Sequence, residues 1–398
     1  MRLEVVTDID STSGYSNFAR TYIKALLDYG VKIQLNQTKH DKSSIELDDW
    51  WKANIGKLLE SPQLPDAKVY IETPEFFQFH PNIKNVGYTF WETTRIASTH
   101  VQGNPVPDQR YNWVSQMNKM NLMLTGCRSS KQSFIKSGVN TPIEVIGCPV
   151  KQHDINEELL IHGVTINQST NIIERNARPF VFGSIAQWTW RKNLEDLIVA
   201  FCTEFQPGEA VLCLKTYLTS PIGGGSNIKE ESIEIAHIEN KIKEIKGGIG
   251  YTLLPEVVLI GASLTDEQML KLHNSFDAYV NPSRGEGFCL PAATAMLAGS
   301  AVLSTDFSAT QDYVIAGETG WPVKCTMEPV YNMPLIPWYD CKHEWGRINI
   351  LDLRKKMRDV KENRYQEIRD AGQRFIRETY SPKAVAERTV KAIETILD

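Results

Sequence analysis

No two of the seven cysteines stand at the Cys-x-x-Cys spacing of zinc ribbons and dithiol redox centres. Their number is odd, and several lie in apolar runs, as Cys213 does in AVLCLK. They are therefore expected as small buried side chains in a reducing compartment. The eight histidines show no metal-ligand spacing, and no metal site is expected. The chain also lacks any apolar run of the roughly 18 residues that a membrane span needs. Its opening, MRLEVVTDID, turns acidic too early for a signal peptide, so a cytoplasmic location is the expectation. No internal repeat is evident. Nor is there the basic excess of a general nucleic-acid coat, since the net charge is −5. One strip departs from that balance: residues 101–151 hold Arg110, Lys119, Arg128, Lys131, Lys136 and Lys151 against Asp108 and Glu144. It reads either as a local basic face or as scattered solubilising charge.

With 398 residues, 42% hydrophobic and 23% charged, the chain can build two cores of ordinary size. RLEVV predicts a strand, TDIDSTSGYS a loop, and NFARTYIKALLDYG a helix with Phe18, Tyr22, Ala25 and Leu26 on one face. VKIQL, AKVYIE, NVGYTF and PIEVIG continue as strands of a first parallel sheet. From 151 to 178 the pattern dissolves into polar sequence, read as an interdomain linker. The alternation then restarts. FVFGSI, AVLCLKTY, VVLIG, DAYVNPS and AVLST read as strands, NLEDLIVAFCTEF as a helix capped by Asn193, and IKEESIEIAHIENKIKEIKGG as a charged surface helix. At the end, Ser381 caps a helix that Pro382 opens. The expected fold class is α/β, with two Rossmann-like doubly wound domains facing a deep cleft. The domains are placed at 1–165 and 166–381, with the helix 382–398 packing back on the first. A ligand between such sheets lies at the carboxyl ends of the strands.

The stretch NPSRGEGFCLPAATAMLAG, residues 281–299, sets one carboxylate, Glu286, between Gly285 and Gly287 at the mouth of an apolar run. Pro291 suits the first position of a helix that Gly299 ends. The amides of Phe288, Cys289 and Leu290 are then expected to point outward without partners, and such a helix start attracts anions. A carboxylate there repels an anion unless it serves a neutral part of the same ligand. Sugar hydroxyls fit, because a carboxylate accepts two hydrogen bonds from adjacent OH groups. The alternative is that Glu286 caps its own turn. A second element, FVFGSIAQWTWRKNLEDLI, carries Arg191 and Lys192 just past a strand. A guanidinium fork beside an ammonium matches a diphosphate; a solvated surface pair is the alternative.

These two elements, followed by AVLSTDFSATQDYVIAGETGWPV, resemble the retaining glycosyltransferases of the GT-B fold, specifically the large family four. The likeness is strong over 180–323 and weaker in TFWETTRI and TGCRSSKQSFIKSGVNTPIEVI of the first half. The resemblance implies that Arg191 and Lys192 hold the donor diphosphate, with Glu286 on donor sugar hydroxyls. It places Gly287 and the amides of Phe288, Cys289 and Leu290 at the phosphates. It implies a nucleotide-diphosphate sugar as co-substrate, a UDP-sugar being the expected donor, with no further cofactor and no metal. Transfer with retention by a front-face route is implied, without a protein nucleophile. One position departs from the pattern: the family's second Glu, eight residues after the first, is here Thr294, which cannot grip ribose hydroxyls bidentately.

Other candidates are less specific. Asp10, Ser13 and Tyr15 follow the first strand and are read as acceptor-side residues lining the cleft, with Gly14 allowing the donor close to the backbone; an ordinary turn is the alternative. Asp8 and Asp10 form a D-x-D too early in the chain for a metal signature. Glu92 and Arg95 are read as acceptor-side residues or as a structural ion pair. Trp188 and Trp190 either stack on a ligand or pack. VYNMPLIPWYDCKHEW, residues 330–345, reads as an interdomain loop. The acceptor is expected to be a glycan, a lipid-linked sugar or a hydroxymethylated base of viral DNA, the last using the basic strip. A non-catalytic glycosyltransferase-like binding subunit is the rival class, with Thr294 its best argument. A sugar-nucleotide epimerase lacks an acid/base pair. The oligomeric state is not indicated.

Overall fold

The computed structural model describes residues 1–11, 13–38, 46–59, 63–97, 100–101, 104–105, 109–152, 179–218, 228–250, 253–333 and 338–397. The N-terminal half builds β1 (Arg2–Thr7), β2 (Lys32–Gln37), β3 (Ala67–Ile71) and β4 (Lys84–Tyr88). A two-residue ribbon, β5 (His100–Val101) with β6 (Asn104–Pro105), precedes β7 (Leu122–Thr125) and β8 (Ile143–Val145). Six of these form a parallel sheet in the order β2-β1-β3-β4-β7-β8. The C-terminal half builds β9 (Phe180–Ile185), β10 (Ala210–Lys215), β11 (Glu256–Ile260), β12 (Ala278–Asn281), β13 (Ala301–Thr305) and β14 (Trp321–Val323). They form a second parallel sheet in the order β11-β10-β9-β12-β13-β14. A ribbon of β15 (Cys325–Pro329) and β16 (Glu344–Ile348) is antiparallel. The two doubly wound sheets are those expected from the alternating pattern. The apolar strands are buried on both faces because helices cover each side.

The strand order fixes where chemistry can sit. In the first sheet the winding reverses between β1 and β3, and in the second between β9 and β12. At each reversal the following loops diverge and leave a crevice outside the carboxyl ends. Residues 8–13 follow β1, residues 186–193 follow β9, and residues 282–289 follow β12.

Several elements differ from the reading above. Helices Asp49–Leu59, Arg128–Ser137, Ile350–Asn363 and Gln366–Thr379 and the strand β7 were not anticipated. The helix after β12 runs Leu290–Leu297, so Pro291 occupies its second position. Asn193 precedes the helix Leu194–Glu204 in a left-handed conformation but makes no side-chain cap; its amide donates to Asp196 and to Pro282 O instead. The surface helix Ile228–Ile249 runs through Gly247 and Gly248. The boundary placed at 165/166, and nearly all of the linker, lie outside the described residues.

The C-terminal helix Pro382–Leu397 lies on the N-terminal half. Tyr22 Oη donates to Thr389 Oγ1 at 3.1 Å, and Arg388 Nε donates to Ile146 O at 2.9 Å. Ser381 Oγ accepts from Ala384 N, giving this helix its cap. Among the described residues no helix is long and apolar enough to cross a membrane.

The second sheet is tightest where β9 meets the chain before β12. A Cβ on Gly183 would fall 2.3–2.4 Å from the Phe276 ring. Gly183→Ala is therefore expected to destabilise the protein by about 1–3 kcal/mol through overpacking. A lowered urea midpoint with an unchanged denaturant slope is the expected reading; an unchanged midpoint contradicts this packing.

Candidate functional site

After β9 the chain turns through a single 3-10 turn, Trp190–Lys192, whose start is capped by Thr189. That turn aims two cations across the reversal at the loop following β12. Lys192 Nζ lies 2.5 Å from Glu286 Oε1. Arg191 Nη1 donates to Gly285 O at 2.7 Å and to Glu286 Oε2 at 3.4 Å. Glu286 is held from behind as well, its N–H donating to Ser308 Oγ at 2.8 Å and its carbonyl accepting from Ala309 N at 3.3 Å. The carboxylate is 6% exposed. Burial alone pushes such a carboxyl up, but Lys192 and then Arg191 outweigh it and hold Glu286 below its ordinary value of 4.5. The neighbouring Cys289 thiol is pushed up to about 12 by burial and by Glu286, with Lys192 and Arg191 opposing. The dyad and the helix start thus share one electrostatic neighbourhood.

A fourth charge comes from the other domain. Arg191 Nε lies 3.3 Å from Glu92 Oε1, and Tyr339 Oη donates to the same carboxylate oxygen. Arg191 keeps its proton still more firmly than a free arginine: burial opposes this, but Glu92, Tyr339 and Glu286 outweigh burial. The approach that permits this contact needs two glycines. A Cβ on Gly285 would meet Glu92 O at 2.0 Å, and one on Gly287 would meet Phe90 Cβ at 2.6 Å. Glu286 therefore sits on a loop pressed against the chain 90–92 of the N-terminal half. An aromatic contact flanks it, with the Trp91 and Tyr339 ring centroids 5.5 Å apart. This gives the described part of the 330–345 loop its place between the domains.

At the helix start, Cys289 takes φ 68°, and Tyr313 Oη donates to Phe288 O at 2.8 Å and Cys289 O at 3.1 Å. These carbonyls are tied inward. Among the described residues no protein acceptor takes the amides of Phe288, Cys289 or Leu290. Thr294 lies on the same helix, half-buried, one turn beyond Leu290.

On the N-terminal side the candidates separate. Asp10 N donates to Asp8 Oδ1 at 3.0 Å, and a groove of about 610 Å³ beside Asp10 is lined by Gln34, Leu35, Asn36, Gln37 and Leu59. Burial opposes ionisation of Asp8, yet hydrogen bonds from Ser11, Asp10 and Ser16 hold its carboxyl below the usual value. Ser13 caps the helix Gly14–Asp28, accepting from Ser16 N at 3.1 Å. Gly14 is exposed, with open space where a Cβ would stand. Tyr15 is turned inward, its hydroxyl paired with Thr89 Oγ1 at 2.9 Å and accepting from Phe90 N. Arg95 is exposed and donates to Lys136 O at 3.3 Å, away from Glu92 and from the cleft. Glu92 is thus brought to the dyad, and Arg95 is not.

Three contributors escaped the sequence reading. Arg284, 1% exposed, stacks 4.1 Å over the Trp190 ring, donates to Trp190 O and pairs with Glu328 at 2.7 Å. Its own N–H donates to Arg191 O at 2.7 Å, so it fastens the dyad turn to the Glu286 loop. A charge among apolar neighbours was the argument used for Glu286 and applied equally to Arg284, two residues earlier. Tyr339 and Glu72 carried no such signal. Glu72, after β3, accepts from Thr38 Oγ1 at 2.5 Å, and burial pushes its carboxyl up to about 7.

Residues 180–329 match the family described as Glycosyl transferases group 1. No curated protein matches the sequence. Among solved structures, HepE of Anabaena in complex with UDP and glucose is similar at TM-score 0.61 and 13% identity, over 99% of this chain and 100% of that one. Sucrose-phosphate synthase of Thermosynechococcus elongatus is similar at TM-score 0.61 and 13% identity, over 99% of each chain. A TarM mutant of S. aureus, in complex with Fondaparinux, alpha-GlcNAc-glycerol and UDP, is similar at TM-score 0.53 and 14% identity. This chain covers 57% of the TarM chain, with 86% of its own residues matched. The chain has the two-domain GT-B fold, and its segment 180–329 is similar to the group 1 glycosyltransferases.

The Glu286 cluster has a pH signature. A carboxyl whose folded value is depressed contributes stability that is fully present above its unfolded value, near 4.5, and lost as pH falls through the folded value. Lys192→Met removes the largest opposing charge and weakens that depression. Acid unfolding followed by circular dichroism is expected to begin at higher pH, with a loss of about 1–3 kcal/mol at neutral pH. An unchanged acid limb contradicts the assignment.

Proposed function

We propose that the protein transfers a sugar from a nucleotide-diphosphate donor, a UDP-sugar, to an acceptor hydroxyl, with retention and without a divalent ion. The observation that carries this is the convergence of Arg191 and Lys192 on the carboxylate of Glu286, close to the amides of Phe288, Cys289 and Leu290, which take no protein acceptor among the described residues. The diphosphate would lie on the two cations and the amides, where its charge is met without a metal. Glu286, kept ionised by its partners, would accept hydrogen bonds from the donor sugar hydroxyls. HepE and the TarM mutant are described with UDP, in keeping with a uridine donor.

In this reading the bond from the anomeric carbon to the leaving phosphate oxygen breaks, and the acceptor oxygen forms its bond on the same face. The acceptor proton passes to the departing phosphate, so no protein nucleophile takes part. The contact of Gly285 and Gly287 with the chain 90–92 brings the halves together around this step and excludes water, which would otherwise hydrolyse the glycosyl phosphate. Thr294 is a single neutral hydroxyl near the helix start; it would reach ribose with one hydrogen bond or through water, where a carboxylate accepts two.

Arg191→Ala is expected to lower UDP-sugar turnover about a hundredfold or more, in line with the removal of one charge-stabilising donor, while the far-ultraviolet spectrum stays unchanged. Turnover that survives within about tenfold, roughly 1.4 kcal/mol, contradicts the phosphate assignment. UDP-sugar hydrolysis measured without any acceptor separates an enzyme from a binding subunit.

A further inference from the structure

We infer that Glu92 is an internal competitor for the donor diphosphate: its carboxylate faces the Nε edge of Arg191 and must release that edge when the donor binds. The inference rests on the donor reading above and concerns how that same site is filled.

The guanidinium of Arg191 has two unequal edges. Nη1 is committed within its own domain, donating to Gly285 O at 2.7 Å and to Glu286. Nη2 takes no protein acceptor among the described residues. Nε faces Glu92 Oε1 at 3.3 Å, an ion pair that lacks the short, directed contact of the Gly285 bond. A bidentate anion on arginine uses two adjacent N–H groups. With Nη1 committed to a carbonyl, the pair left for a phosphate is Nε with Nη2, and Glu92 stands on half of it.

Charge balance points the same way. Arg191 and Lys192 face Glu286 and Glu92, two cations against two carboxylates. A diphosphate brought into that balanced set would meet two carboxylates in a low-dielectric cleft unless one left the cations. Glu286 is the one that stays, because Lys192 contacts it at 2.5 Å and its backbone is tied to Ser308 and Ala309.

Only the side chain of Glu92 is free to move. Its carbonyl abuts Gly285, and the following chain is fastened by Thr94 N to Glu344 O and by Glu344 N to Thr94 Oγ1, each at 3.0 Å. Release is therefore a rotation of the carboxylate about its own side-chain bonds, with Tyr339 Oη as the partner that keeps it in the cleft.

Titration calorimetry with UDP on the wild-type protein, Glu92→Gln and Glu92→Ala tests this. Both variants are expected to bind UDP about three- to tenfold tighter, because a competing anion is gone. A merely structural role for Glu92 moves affinity the other way, since loss of an interdomain contact loosens the site. Equal or weaker binding by Glu92→Gln, with its thermal midpoint near that of wild type, overturns the inference while leaving the donor reading intact. Tight binding by the variants where wild type binds poorly supports it most strongly. UDP bound by none of the three overturns both.

Discussion

A buried carboxylate gripped by two cations, Glu286 with Lys192 and Arg191, is the contact on which the site depends. Taking Glu286 out of water costs several kcal/mol, and the cations offset that cost only where geometry is tight. The fold supplies the geometry. The strand order β11-β10-β9-β12-β13-β14 sets the loops after β9 and β12 side by side at the reversal, one bearing the cations and the other the carboxylate. Arg284 then welds the loops together, stacked on Trp190 and bonded to the backbone of both Trp190 and Arg191. No part of this arrangement would hold in isolation, because each charge is buried against another.

The same cluster joins the two halves of the molecule. Glycines at 285 and 287 leave room for the chain 90–92, and through that gap Glu92 reaches Arg191. Arg128 of the N-terminal half pairs with Asp312 of the other at 2.7 Å, at a second point of contact. The interdomain surface accordingly includes charged and aromatic contacts around Arg191 and a separate ion pair at Arg128. Any change in their charge must be felt in both halves.

The fold was legible in the sequence because parallel strands buried on both faces leave continuous apolar runs such as FVFGSI and AVLCLK. The helix Ile350–Asn363 buries one narrow apolar stripe, Leu353, Met357 and Val360, among many charges and was missed. At the site, Glu286, Arg191 and Lys192 stood out as charges beside glycines and strand ends, and the structure sets them in contact. Arg95 shared that local signature, yet its side chain turns to the end of the Arg128–Ser137 helix, where carbonyls left over at the terminus attract a cation. Its charge sets it apart from Glu92, three residues earlier, since a second guanidinium facing Arg191 would be repelled. That Arg191 is the group to be faced is decided by a contact between distant segments. Tyr339 and Ser308 were illegible for the same reason, since their roles exist only once both domains are assembled.

A crystal structure of the protein with UDP tests the central claim most directly. The account predicts the β-phosphate within hydrogen-bonding distance, about 3 Å, of Lys192 Nζ and the Arg191 guanidinium, at the start of the helix Leu290–Leu297. A diphosphate bound elsewhere in the cleft, with both cations facing only carboxylates, would contradict it.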